Sequence, residues 1–266
     1  MKKASTRPAG QKNSLAPFAS MELVPLPGLP EIRKGDDLAR CIAEAARRAQ
    51  IVLEHGDVLV IAQKIVSKAE GRVVRLSTVK PSRKALHLAA KLNKDPRLVE
   101  VILWESRRIV RSDPVLIVET HHGFVCANAG VDQSNIPGRG VVSLLPRHPD
   151  RAARSLAAAL GKRAGKRIAV VISDTFGRPW RLGLTNVAIG AAGVPALLDL
   201  RGTRDLHGKP LHATILAVAD ELAAAAGLAM GKAAGIPAVV IRGFRYKPVL
   251  DPAARIIRPA NEDLFR

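Results

Sequence analysis

Apolar positions in this chain follow two rhythms. Short unbroken runs at 57–62 (DVLVIA), 167–173 (RIAVVIS) and 238–242 (AVVIR) have strand length and are rich in β-branched residues. They predict buried strands, the run at 167–173 most strongly. Longer stretches with helical spacing lie between them. Residues 36–50 predict a helix opened by Asp36 and Asp37, where the helix dipole favours acids. Further helices are predicted at 82–93, 95–106 and 150–165, and a long one from about His212. Residues 21–27 (MELVPLP) read as a short strand stopped by prolines. Residues 108–120 and 124–129 read as two strands joined by a hairpin connection at 119–123, and 187–189 as another strand. Residues 63–71 form a loop or short helix directly after the strand at 57–62. Strands and helices alternate throughout, so the predicted class is mixed α/β or α+β. No internal repeat is evident, and the loop at 136–140 (IPGRG) is the one candidate separator of structural units.

Composition narrows the class. At 266 residues and 47% hydrophobic, the chain is long enough for a sizeable core and is not disordered. Cys41 and Cys126 are too few for a disulfide scaffold and suit a reducing cytoplasm, the expected location. The most apolar stretch, 213–231, carries Asp220 and Glu221 in its middle. It is read as a buried or dimer-facing helix, and no membrane association is expected. Residues 1–20 are basic and lack the apolar stretch of a secretory signal. They are read as a disordered extension, with Met21 as an alternative start.

The charge of +19 points to an anionic partner. Nucleic acid is the default reading, but the basic residues are scattered in short pairs such as Arg47-Arg48. Aromatics at 3% provide no base-stacking platform, so nucleic acid is not expected. A site for nucleotides or polycarboxylates would profit equally from the positive field.

Four polar or Gly-rich segments sit at predicted element ends, where ligand sites of α/β proteins gather. In 173–181 (SDTFGRPWR), Asp174 and Thr175 follow a buried strand. They are either hard-oxygen ligands for Mg²⁺ or the cap of the next turn, while Arg178 and Arg181 offer guanidinium forks to carboxylate or phosphate. In 128–135 (NAGVDQSN), Asp132 is a second ligand or an Asx turn. In 63–72, Lys64 and Lys68 share a helical face and either grip a polyphosphate or sit solvated on the surface. The Gly227-x-x-x-Gly231-Lys232 spacing is one residue short of a P-loop and follows a helix rather than a strand, so the P-loop reading is rejected. That turn either passes close to a nucleotide or ends a helix. No zinc spacing, nucleophile elbow or Rossmann fingerprint occurs. His121-His122 falls in the hairpin connection, and Cys126 is read as core.

Taken together, the chain resembles the coenzyme F420-0:L-glutamate ligase family. The matching stretches are PGLPEIRKGDDLA (27–39), GDVLVIAQKIVSKAEGR (56–72), NAGVDQSN (128–135), SDTFGRPWRLG (173–183), DLHG (205–208), VADELAAAAGLAMG (218–231) and GIPAVVIRG (235–243), in the family's order. The resemblance implies one ligase domain over 21–266, an unusual mixed α/β fold and an intertwined homodimer. It implies GTP as co-substrate, a divalent cation (Mg²⁺ or Mn²⁺) with K⁺ as a further ion, and L-glutamate and coenzyme F420-0 as substrates. By resemblance Asp132, Asp174 and Thr175 bind metal, and Leu29, Pro30, Glu31, Ile32, Gln63, Lys64, Lys68 and Asn135 contact GTP. Asp132, Asp174 and Lys68 act in catalysis. The implied reaction activates the F420-0 carboxylate as an acyl phosphate. Some members carry a fused flavin-type domain; a chain ending at Arg266 leads one to expect the ligase activity alone. A related amide ligase acting on a different carboxylate is the alternative.

Overall fold

The computed structural model describes residues 20–263, so all but Ser20 of the extension expected over 1–20 lies outside the described residues. In chain order the elements are β1 (Glu22–Pro25), α1 (Leu38–Arg48), β2 (Val58–Ala62), α2 (Gln63–Ala69), β3 (Val73–Arg75), α3 (Arg83–Leu92), α4 (Pro96–Trp104), β4 (Ser106–Ser112), β5 (Leu116–Thr120), β6 (Val125–Ala127), β7 (Val141–Ser143), α5 (Pro149–Ala164), β8 (Ala169–Arg178), β9 (Arg181–Ala192), β10 (Leu198–Asp199), β11 (Ile215–Leu216), α6 (Val218–Met230) and β12 (Ala238–Arg242).

The class is mixed α/β, as the alternation predicts. The main sheet runs β1-β12-β2-β8-β9, with β2 and β8 parallel and the other pairs antiparallel. Its strands are apolar on both faces because both are covered. Leu59, Ile61, Val170 and Ile172 pack with α1 and α5 residues such as Ile42 and Leu160. Val58, Val60, Val171 and Ile241 pack with α6 residues such as Leu222 and Ala226. The chain between α2 and α5 builds a second lobe around its own core, where Leu88, Val99 and Ile102 of α3 and α4 meet Leu116, Val118 and Val142 of the small strands. This lobe is inserted into the crossover from β2 to the parallel β8. Among the described residues no helix is long and apolar enough to cross a membrane.

Three expectations are corrected. The single strand expected over 108–120 is two antiparallel strands, β4 and β5, because Asp113-Pro114 breaks the run. The buried strand expected over 167–173 does not end at Ser173. β8 continues to Arg178 and pairs with β9, so the strand expected at 187–189 is the middle of a twelve-residue one. The outer half of this hairpin leaves the sheet core, so it lacks the continuous apolar run of a buried strand, and that hid it. The helix expected from about His212 begins at Val218; Ile215–Leu216 pairs with Leu198–Asp199 instead.

Edge strand β9 is covered by carboxylates rather than by another strand, a protection against edge pairing. Asp220 of α6 accepts from the Ala188 N–H at 2.8 Å, and Asp150 of α5 from the Ala191 N–H at 2.9 Å. α5 reaches that close because position 190 is glycine: a methyl there would lie 2.6 Å from the Pro149 carbonyl carbon and oxygen. Gly190→Ala therefore forces helix and strand apart. The expected result is a loss of about 2 kcal/mol, read as a lower denaturant midpoint at unchanged m.

Candidate active site

The C-terminal ends of parallel β2 and β8 open onto one cavity of about 780 Å³. Four walls bound it. β2 passes without a break into α2, whose first residues are Gln63 and Lys64. β8 supplies Asp174 and Thr175. The loop after β6, from the second lobe, supplies Asn128, Asp132 and Asn135. The turn after α6 supplies Gly231 and Lys232, and Leu29 to Ile32 close the rim.

The second-lobe wall is fixed by its own backbone. Asp132 exchanges both main-chain hydrogen bonds with Ser143, which anchors it to the end of β7. Its carboxylate accepts from the Ser134 N–H at 2.8 Å, forming an Asx turn, and also from Lys64 Nζ at 2.7 Å. Both roles left open for Asp132, turn former and charged site group, are thus present in one side chain. Burial opposes ionisation of Asp132, but the hydrogen bonds from Lys64 and Ser134 outweigh it and hold the carboxyl below its usual range. Asn135 Nδ2 donates to the Lys232 carbonyl at 3.2 Å and so ties this wall to the turn after α6.

Asp174 has the opposite setting. Desolvation pushes its carboxyl up to about 6, opposed by the Thr175 N–H and the charges of Lys64 and Lys232 and reinforced by the nearby Asp132. No salt bridge neutralises it among the described residues. Beside it, Thr175 Oγ1 receives a hydrogen bond from Lys232 Nζ at 2.8 Å and donates to Asn186 Oδ1 at 3.2 Å. Lys68 pairs with Glu31 at 2.7 Å on the rim. Gln63 is fully enclosed; its oxygen accepts from Ser67 at 2.7 Å, and its amide nitrogen is buried with no partner among the described residues.

Leu29, Pro30, Glu31, Ile32, Gln63, Lys64, Lys68, Asp132, Asn135, Asp174 and Thr175 therefore all line this cavity. Arg178 and Arg181 do not. They lie exposed at the hairpin end, where Arg178 Nη2 donates to the Leu182 carbonyl at 3.0 Å.

A model of the F420-0:gamma-glutamyl ligase family matches residues 28–243, a span that contains every one of those lining residues. The chain belongs to that ligase family. Coenzyme F420:L-glutamate ligase of Methanopyrus kandleri is 49% identical to it over 255 residues, covering 93% of this chain and 98% of the relative. The enzyme of that name from Methanothermobacter thermautotrophicus is 46% identical over 250 residues, covering 92% and 99%. The Archaeoglobus fulgidus enzyme is 42% identical over 247 residues, covering 92% and 96%.

Within this ligase fold the rejected P-loop spacing has a different use. Gly227 on α6 leaves room for Asn186, which a Cβ would meet at 2.9 Å, and Gly231 turns the chain so that Lys232 enters the cavity. Lys232 was missed because its role depends on a helix end meeting a strand hairpin, which no local pattern encodes. Cys126 also lines the cavity, and burial with the neighbouring Asp174 charge pushes its thiol up to about 12.

Proposed function

We propose that this protein is a GTP-dependent ligase that forms an amide between the carboxylate of coenzyme F420-0 and L-glutamate through an acyl phosphate. The observation that carries the reading is one cavity that sets Asp132 and Asp174, carboxylates of different character, among three lysines, Lys64, Lys68 and Lys232, in a chain of this ligase family. In the reaction the F420-0 carboxylate attacks the γ-phosphorus of GTP and GDP leaves. The glutamate amine then attacks the acyl carbon, phosphate departs, and the amine gives up a proton.

Both partners in the first step are anions. Lys64 and Lys232 place ammonium groups at the two carboxylate-bearing walls, and Lys68 adds a point charge at the rim. The buried Gln63 amide nitrogen is a donor awaiting an acceptor, which suits a nucleotide oxygen. Asp132, Asp174 and Thr175 offer hard oxygens. Among the described residues no three acidic, His or Cys side chains cluster, so this set suits an ion that takes one or two carboxylates and completes its shell with water and phosphate, as Mg²⁺ or Mn²⁺ does. The lysine ammoniums now on Asp132 and Thr175 mark where positive charge is wanted. When bound, a divalent cation neutralises phosphate oxygens and aligns them for in-line transfer.

Homodimer formation belongs to the same proposal. Trp180 (86% exposed), Leu182 (99%) and Leu184 on the hairpin, with Leu206 and Leu228, leave apolar surface that a second copy would cover. The test of function is mass spectrometry of F420-0 incubated with purified protein, GTP, Mg²⁺ or Mn²⁺ and L-glutamate. The expected product is heavier by one or more glutamyl units, with GDP formed in step. Protein that binds GTP but leaves F420-0 unmodified would move the substrate to another carboxylate.

A further inference from the structure

Asn128 opens a run of three left-handed residues, with φ of 54° there, 55° at Ala129 and 69° at Gly130. Asparagine tolerates this region better than most residues, and alanine does not favour it. The run is held from outside the cavity. Lys94, in the turn between α3 and α4, donates from Nζ to Asn128 Oδ1 at 2.7 Å. Lys94 does not line the cavity, is half-buried, and has no carboxylate partner among the described residues. Burial lowers its pKa, so holding it there carries a desolvation cost for this one contact.

An ammonium group only donates. The Asn128 oxygen must therefore face Lys94, and the amide NH₂ must face away from it. Asn128 lines the cavity, and its amide nitrogen has no protein partner among the described residues. We propose that Asn128 Nδ2 is a substrate-binding donor to an oxyanion, a carboxylate or phosphate oxygen, and that Lys94 is the positioning residue that fixes its orientation. The inference rests on the ligase reading for the identity of the substrates, but not for the existence of the subsite.

The competing role is purely structural, with Lys94 and Asn128 only pinning the loop that leads to Asp132. Asn128→Asp separates the two. Aspartate tolerates the same backbone, keeps an oxygen for Lys94 and turns the contact into an ion pair, while replacing the outward donor by an acceptor. Asn128→Gly keeps the left-handed backbone and deletes the amide. The measurement is calorimetric binding of GTP, L-glutamate, F420-0 and inorganic phosphate, each alone, to the full-length protein, with thermal melting alongside.

In Asn128→Asp at least one probe is expected to bind about tenfold or more weakly, with melting at or above that of the unmodified protein. Lys94→Met weakens the same probe and Lys94→Arg restores it. Adding Lys94→Met to Asn128→Gly changes nothing further, because the amide it orients is gone. The probe that moves identifies the oxyanion: GTP and phosphate together mean a phosphate oxygen, and glutamate or F420-0 alone means a carboxylate. Unchanged binding of all four probes in both Asn128→Asp and Asn128→Gly overturns the proposal. Weakened binding in a protein with no glutamylating activity leaves the subsite standing and removes the ligase reading instead.

Discussion

Asp174→Asn is expected to lower ligase turnover about a thousandfold and, in metal-free protein, to raise the melting temperature. The two effects share one cause. The carboxyl of Asp174 titrates near 6, against an ordinary value of 3.8, because its surroundings strip water from it and no salt bridge replaces that water. The folded protein therefore retains a proton that the unfolded chain has released between those values. Stability falls as pH rises from about 4 to about 6 and stays at the lower level beyond. Asparagine removes that penalty, so the variant's gain is present above pH 6 and absent near pH 4. The penalty makes sense where a cation bound in the working enzyme offsets it. Turnover of Asp174→Asn within tenfold of the unmodified protein would show that no essential ion is held there, whatever the melting curves report.

Lys64→Met tests the opposite wall. Lys64 Nζ lies 2.7 Å from Asp132 Oδ2 and 2.5 Å from Ser134 Oγ, so it joins α2 of the main lobe to the Asp132 loop of the second. Methionine keeps the length of the side chain and removes the charge. Asp132 then keeps its Asx turn but loses its main stabilising partner, and its carboxyl moves up. The expected cost is about a hundredfold in kcat/KM, seen chiefly as a higher KM for GTP. Melting changes little, because the pair is partly solvated and such pairs contribute little to folding. A large fall in melting temperature with unchanged KM would make Lys64 a lobe fastener rather than a ligand group.

The reach of sequence reading follows from the kind of signal each element carries. β2, β8 and β12 were legible because strand positions buried on both faces must be apolar, as VLVIA of β2 and the AVVI that opens β12 are. α3 and α4 fall within the helices expected over 82–93 and 95–106, and the structure shows Ser82 and Asp95 capping them by accepting free N–H groups of the first turn. The outer half of the β8–β9 hairpin was not, because its backbone is satisfied by its own partner strand while its side chains face the cavity and solvent. Two acids after two strands were visible as candidates. That they share one cavity depends on an entire lobe folding back between β2 and β8, which residue spacing does not record. The pairing of Lys64 with Asp132, and of Lys232 with Thr175, joins segments 68 and 57 residues apart and was invisible for the same reason.

The parallel pairing of β2 and β8 also sets an order of events. These strands are neighbours in space but more than a hundred residues apart along the chain. Much of the lobe between them is built from near neighbours, α3 against α4 and β4 against β5 against β6. Short-range contacts of that kind close quickly, and the distant strand pair closes late. Gln63 follows directly on β2, and Asp174 lies one residue beyond the last β8 residue that pairs with it. The cavity therefore depends on a late strand pairing, and a nascent chain on the ribosome still lacks Lys232 when Asp174 has already emerged. A chain that stops before the turn after α6 lacks one wall of the cavity and cannot assemble the site.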